Sequence, residues 1–468
     1  DAGFVSPQFS WMESQIVRNT ALTALITGLL ASSLLAQQPS RLVNGTSPLR
    51  KAARSSQLNQ PISAGSVSVQ KSPPETRFTL ASAEDLAFRH NPSLAGATAR
   101  VDAAWGRLVQ AGLYPNTVIG YHANEVGNLG GPGVQGGFIR QTIITGGKLQ
   151  LDRSIAAHQL DSAEVELTAL EQRVLNDVRI RYYDVLVAQR RVELTQELVR
   201  IAGAFVQSTE TLLKAGRVNE NTLLQAQLEL DGSQILLDNA TNIHLESWRR
   251  LQLVLGNPGL PMQRADGNLA AEIQNFNWQA SLQVLLTEHP EITAARIDVN
   301  RAQATLHRAC RERYPNIDVM LSVRHHNITS DDVANIQVGF PLPLFDRNQG
   351  NIFRAQAELS AAESRVQQIE LKLTDQLATT FRRYTNSHQQ VDRYGKQMLP
   401  RARKSLDFVT KGYREGQVNF LTLLTSQRTY YQVTLQLLNA RRQLRESEIL
   451  MAGQLLRDSL QLRAAHSR

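Results

Sequence analysis

The chain writes one helix-turn-helix signature twice. AGRVNENTLLQAQ occupies 215–227 and EGQVNFLTLLTSQ occupies 415–427. Gly216, Val218, Asn219, Thr222, Leu223, Leu224 and Gln227 meet Gly416, Val418, Asn419, Thr422, Leu423, Leu424 and Gln427 at one offset of 200 residues. The correspondence spreads outward from these turns. HNPSL (90–94) answers EHPEI (288–292), LYPN (113–116) answers RYPN (313–316), and Asn239-Ala240 answers Asn439-Ala440. Between them Leu160, Ala163, Leu167, Leu170 and Val174 follow a 3,4,3,4 spacing, repeated by Leu359, Ala362, Val366, Ile369 and Leu373. Such seams pack helix on helix as in a coiled coil. A period this long excludes a solenoid, whose units run to about 20–50 residues. The chain is two copies of one large unit.

Each copy has the same order. A helix of roughly 30 residues is expected over 84–113, ending before Tyr-Pro. Two alternating stretches follow, then a helix over 148–213, the turn, and a helix over 220–256. The second copy runs as a helix over 282–312, strands near 316–326 and 334–344, and helices near 351–413 and 419–460. At 1.5 Å per residue the longest helix spans about 100 Å, far beyond the usual globular length. The two shorter helices of a copy add up to nearly the same length, so the simplest packing lays one long helix beside two stacked short ones. Rods of this kind build coiled coils, fibres or tunnels rather than compact catalytic domains.

The strands narrow the choice. In NIDVMLSVRH (316–325) Ile317, Val319, Leu321 and Val323 alternate with Asp318, Met320, Ser322 and Arg324. In ANIQVGFPL (334–342) Ile336, Val338, Phe340 and Leu342 alternate with Asn335, Gln337 and Gly339; NTVIGYHANE and GGFIRQTII in the first copy alternate less cleanly. About ten residues with one apolar face is the length of a transmembrane β-strand. A soluble sheet covering a core gives the same alternation. The helices, however, are accounted for by their own seams and offer no second layer. Four strands cannot close a barrel, and an open edge in lipid leaves backbone groups unpaired, so several chains must contribute strands to one barrel.

Charge excludes little else. Lys and Arg number 50 against 42 Asp and Glu, a net charge of +8, but they are interspersed along helical stretches with no basic block. That is a solvated helix surface, not a nucleic-acid footprint. A single cysteine, Cys310, rules out a disulfide within the chain and a CxxC cluster. From Met12 a short charged stretch leads into TALTALITGLLASSLLA and QQPS, the shape of a secretory signal with cleavage near Ala36. A single-pass anchor is the other reading, though the run is short and rich in Thr and Ser. No cysteine follows it for lipidation. The expected divisions are an upstream extension and signal at 1–36, a disordered leader at 37–79, the first repeat at 80–260, a connector at 261–281, the second repeat at 282–462 and a tail at 463–468.

The two-copy layout, the paired GxVNxxTLLxxQ turns and VGFPLPLFDRNQGNIFRAQAEL at 338–359 resemble the outer-membrane efflux protein family, the TolC-like outer-membrane factors. The last stretch is most similar to the heavy-metal branch, which serves cobalt-zinc-cadmium and copper-silver systems. The resemblance covers about 80–460. It implies a mostly α fold with a small β part, in which long duplicated helices form a periplasmic α-barrel. It further implies a homotrimer whose four strands per chain make a 12-stranded transmembrane β-barrel in outer-membrane lipid. Its partners would be a periplasmic adaptor and an inner-membrane pump, with no nucleic acid, no cofactor and no enzymatic activity. The helix-turn-helix tips would meet the adaptor through Gly216, Val218, Asn219, Gly416, Val418 and Asn419. Gly216 and Gly416 suit the left-handed end of a helix, and Asn219 and Asn419 suit the cap of the next.

The constriction expected near the tips falls on Thr222, Gln225, Tyr413, Thr422 and Thr425. Some relatives carry acidic rings there, and this chain carries threonine and glutamine instead. Tyr413 matches a tip tyrosine whose usual acidic partner falls at Thr222, so a hydroxyl pair would replace a charge-assisted bond. Lys411 and Arg414 make this tip basic. Two rivals remain: a drug or protein-secretion duct of the same shape, and a soluble coiled-coil scaffold. No metal site is expected. His325 and His326 are adjacent on an extended segment and point to opposite faces. His90 and His289 read as helix-start punctuation, and Cys310 as buried packing. No GxSxG, P-loop or HExxH occurs.

Overall fold

The computed structural model describes residues 78–127, 131, 133–270, 274–327, 329–415 and 417–460. The expected signal and tail, and the expected leader up to residue 77, lie outside the described residues; Phe78 and Thr79, the end of that leader, are described, the first buried in the core and the second capping α1. In the first copy α1 (Leu80–His90) and α2 (Pro92–Ala111) lead to β1 (Val118–Asn124) and β2 (Val134–Ile143). α3 (Lys148–Lys214) and α4 (Glu220–Leu255) complete it. The second copy repeats this as α5 (Trp278–Glu288), α6 (Pro290–Arg311), β3 (Ile317–His326), β4 (Asp331–Gly339), α7 (Gln349–Arg393), α8 (Leu399–Arg414) and α9 (Phe420–Ala452).

The long helix α3 has 67 residues and lies against α2, α4 and α6; α7 likewise lies against α6 and α9. This is the predicted rod beside two stacked shorter helices. The single helices expected over 84–113 and 282–312 are each two. Proline at the first position of α2 and of α6 cannot donate to the preceding turn and pushes its predecessor out of helical geometry. Those predecessors are Asn91 (ψ 116°) and His289 (ψ 127°). Both cap the next helix: Asn91 Oδ1 accepts from Ser93 N at 2.9 Å, and His289 Nδ1 from Glu291 N at 3.0 Å. Both also reach the end of the last helix in their own copy. Asn91 Nδ2 donates to Val254 O at 2.8 Å, and His289 Nε2 to Gln454 O at 3.0 Å. The stacking joint of each copy is therefore pinned by one buried side chain. In the first copy that residue is Asn91 rather than His90, whose ring stays exposed and bonds back to Leu86 O.

The helix expected over 351–413 is interrupted by a π turn at Tyr394–Met398. Pro400 lacks the N–H that a regular helix needs at that point, and Leu399 N donates five residues back, to Tyr394 O. The main core lies where α1, α3, α4 and the inter-copy linker converge, around Phe78, Tyr182, Trp248 and Leu251. Tyr182 Oη sits 2.7 Å from Phe78 O and 2.6 Å from Asp266 O, and burial pushes its phenol up to about 12.

The four strands form one antiparallel sheet in the order β1-β2-β3-β4, so β2–β3 joins the two copies. β4 begins earlier than expected, at Asp331, and stops at Gly339, before Pro341 and Pro343. Those two residues cannot contribute to a ladder. The register aligns Ile119, Ile139, Leu321 and Ile336 in one row across all four strands. Val118, Arg140, Met320 and Gln337 align on the opposite face. The apolar row is widely exposed at its two ends, Ile119 at 79% and Ile336 at 74%. Among the described residues no helix is long and apolar enough to cross a membrane.

Candidate functional site: the paired turns and the open sheet

α3 closes with its last carbonyls satisfied from beyond its end. Gly216 N donates to Leu213 O and Arg217 N to Leu212 O, both at 2.9 Å, around Gly216 at φ +68°. This is the glycine-terminated cap, in which a side chain would strain the left-handed residue. α8 ends alike, with Gln417 N donating to Gly412 O at 2.8 Å; Gly416 itself lies outside the described residues.

The following helices start identically. Asn219 Oδ1 accepts from Thr222 N at 3.0 Å and from the Thr222 hydroxyl at 2.8 Å. Asn419 accepts from Thr422 N and the Thr422 hydroxyl at the same two distances. The shared threonine is thus part of the cap. Val218 and Val418 are half-buried. Leu223 and Leu423 pack into one tip cluster with Phe205, Val206 and Ala226, which binds the two turns to each other. The Phe205 ring stacks on Phe420 at 4.2 Å and 5° and tilts against Tyr413 at 5.5 Å. Farther along, Arg428 Nη2 meets Glu229 at 2.5 Å and ties α9 to α4.

Tyr413 is half-buried, and burial holds its phenol above the ordinary tyrosine value against the lowering influence of Thr209. The buried Thr209 hydroxyl faces it without a hydrogen bond of ordinary geometry. Among the described residues Tyr413 makes no bond to Thr222, whose hydroxyl is committed to Asn219. Gln225 and Thr425 stand exposed one turn into their helices, and Thr425 bonds back to Leu421 O at 2.8 Å. The tip cluster brings Tyr413 beside the paired caps and leaves Gln225 and Thr425 on its outside. Sequence reasoning missed Phe205 and Phe420. The available signal was Phe420 standing where the first copy has Glu220, an aromatic residue in a position otherwise polar.

His325 Nδ1 pairs with Asp332 at 2.9 Å, while His326 Nδ1 accepts from Thr329 N at 3.4 Å, so the two rings serve different neighbours. Cys310 is not buried packing. It is partly exposed beside His307, Arg311 and Tyr314 on a cavity of about 670 Å³. Among the described residues no group of three His, Cys, Asp or Glu side chains could hold a metal ion.

A sheet of four strands, seven to ten residues each and with two edges unpaired among the described residues, above a 67-residue helix of about 100 Å, is the architecture of a channel-tunnel chain. The chain belongs to the outer membrane efflux protein family, whose profile matches residues 85–257 and 281–455, one copy each. It is 26% identical over 361 residues to the cobalt-zinc-cadmium resistance protein CzcC of Cupriavidus metallidurans, spanning 77% of this chain and 86% of that one. It is 24% identical over 381 residues to the pyoverdine export outer membrane protein OpmQ of Pseudomonas putida, spanning 74% and 79%. Among solved structures it shares the fold of CusC, with TM-score 0.69 at 18% identity over 80% of this chain and 91% of that one. It also shares the fold of VceC from Vibrio cholerae, with TM-score 0.67 at 18% identity over 80% and 96%. The protein is an outer-membrane channel with its helices in the periplasm, and not an enzyme. That membership removes the soluble scaffold.

Proposed function

We propose that the chain is the passive exit duct of a tripartite efflux system that exports heavy-metal cations. Three chains close a 12-stranded barrel, and the six turns built on Gly216, Val218, Asn219, Gly416, Val418 and Asn419 dock on a periplasmic adaptor served by an inner-membrane pump. The observation that carries this reading is the sheet. Its apolar row lies exposed, and among the described residues β1 and β4 each have one edge without a partner strand, which lipid does not tolerate in an isolated chain. Support for the tip as docking surface comes from the shared packing of both turns in one cluster, which presents them as a single rigid end. Thr222, Gln225, Tyr413, Thr422 and Thr425 form the constriction in this reading, a neutral one without a carboxylate ring.

The cation cargo rests on the likeness to a cobalt-zinc-cadmium resistance protein across most of both chains. The likeness to a pyoverdine exporter favours a second cargo, a small organic solute through the same duct. Deleting the gene and measuring tolerance to zinc, cobalt, copper and a dye side by side decides between them. Loss of metal tolerance is expected. Unchanged metal tolerance with new dye sensitivity overturns the cation reading.

A further inference from the structure

Within the chain the two copies meet along a seam, with β2 against β3 above and α3 against α6 below. Just beneath the strands the turn after β2 packs on Tyr314-Pro315-Asn316, the segment that leads into β3. Thr145 Oγ1 donates to Pro315 O at 2.5 Å and Lys148 Nζ to Asn316 Oδ1 at 2.8 Å. The backbone of Gly146 comes so close that a Cβ there would stand 3.1 Å from Tyr314 Cβ.

The same tripeptide, Tyr114-Pro115-Asn116, leads into β1. The sheet order β1-β2-β3-β4 lies over helices in the order α2-α3-α6-α7, so β1 and α2 form one open edge and β4 and α7 the other. The turn after β4 is the counterpart of the turn after β2: Asn348 (φ +63°) and Gly147 (φ +69°) are the left-handed residues that start α7 and α3. On that correspondence Arg347 stands where Gly146 does.

The turn after β4 is rigid and apolar. Asn348 N donates to Asp346 Oδ1 and Asn348 Nδ2 to Ala309 O, both at 2.8 Å, while Pro341 and Pro343 fix the approach. It holds Phe340, Leu342 and Leu344 more than half exposed and the Phe345 ring 93% exposed. With the backbone of the turn tied down, the exposed ring is presented from a partly pre-organised segment, which lowers the ordering cost of docking it. At the opposite edge α2 shows Trp105 and Val109 at i and i+4 on one exposed face, followed beyond the helix end by exposed Leu113 and Tyr114.

We propose that the turn 340–348 of one chain clasps the Trp105–Tyr114 face and the Tyr114-Pro115-Asn116 segment of a second copy, so that the seam between chains repeats the seam within the chain. β4 ends and β1 begins at the same rim of the sheet, so pairing β4 of one copy with β1 of the next sets these two surfaces side by side. The clasp rests on the ring closure proposed above, and it assigns a role to the PLPLFDRN motif.

The test uses the full chain carrying Cys310→Ser, extracted from membranes in detergent and weighed by native mass spectrometry. A single-chain mass defeats the ring itself. Given a trimer, Tyr114→Cys with Arg347→Cys is treated with a short bismaleimide. Chains linked to one another on a denaturing gel, and absent from either single-cysteine chain, are the expected result. An intact trimer without links, as for a turn buried in lipid headgroups, overturns the clasp alone. If the double-cysteine chain does not assemble, Phe345→Ser gives the reading. Its trimer is expected to dissociate at a lower temperature, and an unchanged dissociation temperature overturns the clasp.

Discussion

Asn219 and Asn419 do the same thing 200 residues apart. Each accepts two hydrogen bonds from the threonine three places on, at matching distances. Capping explains the spacing between asparagine and threonine that the two copies share, without invoking the pore. Replacing either asparagine by alanine removes a cap worth about 1 kcal/mol, and because the two caps are alike the losses should be alike. Hydrogen exchange at the amides of the first turn of α4 or α9 should quicken about fivefold in the matching variant; no change in either would show that packing alone starts these helices. The caps were legible in the sequence because they are local, a side chain and a backbone within one turn. The Phe205–Phe420 stack was not, because it joins residues more than 200 apart whose proximity depends on the whole packing of α3 against the second copy.

At the scale of elements, periodicity revealed the long helices, and proline decided where they break. Pro92, Pro290 and Pro400 were each visible, yet a proline can sit within a helical run, begin a new helix or force a π turn. Which of these occurs depends on what receives the freed groups. Asn91 and His289 find carbonyls at the ends of α4 and α9, so there the chain breaks fully. The strand pattern was legible as alternation, while its register, and hence the aligned apolar row, needed the pairing of β2 with β3.

The joint at His289 carries a pH dependence. Burial is the main cause holding this imidazole below its ordinary value of 6.5, with Glu291 opposing and Arg173 and Lys372 assisting. Its neutral form is the one that accepts from Glu291 N and donates to Gln454 O. The unfolded chain takes up the proton first, so stability present above pH 6.5 is lost as pH falls from there through the folded-state value. His289→Asn should keep both bonds, as Asn91 does in the first copy, and flatten the fall of the unfolding midpoint on the acid side. An acid slope that survives this substitution would place the titrating group elsewhere.

For the whole molecule the governing fact is incompleteness. The helices satisfy one another along their seams, but among the described residues the sheet has two edges without a partner strand and an apolar row, Ile119, Ile139, Leu321 and Ile336, that is exposed at all but Leu321. A compact soluble protein would cover such a row with a second layer, and in the proposed barrel the neighbouring layer is lipid. Duplication explains why the sheet has four strands, two from each copy, and four per chain require partners to reach a closed barrel. The most direct measurement is the native mass of the complex extracted from purified outer membranes in mild detergent. Three chains per particle is the result expected of a 12-stranded barrel, and a single chain recovered from the soluble fraction without detergent would contradict it.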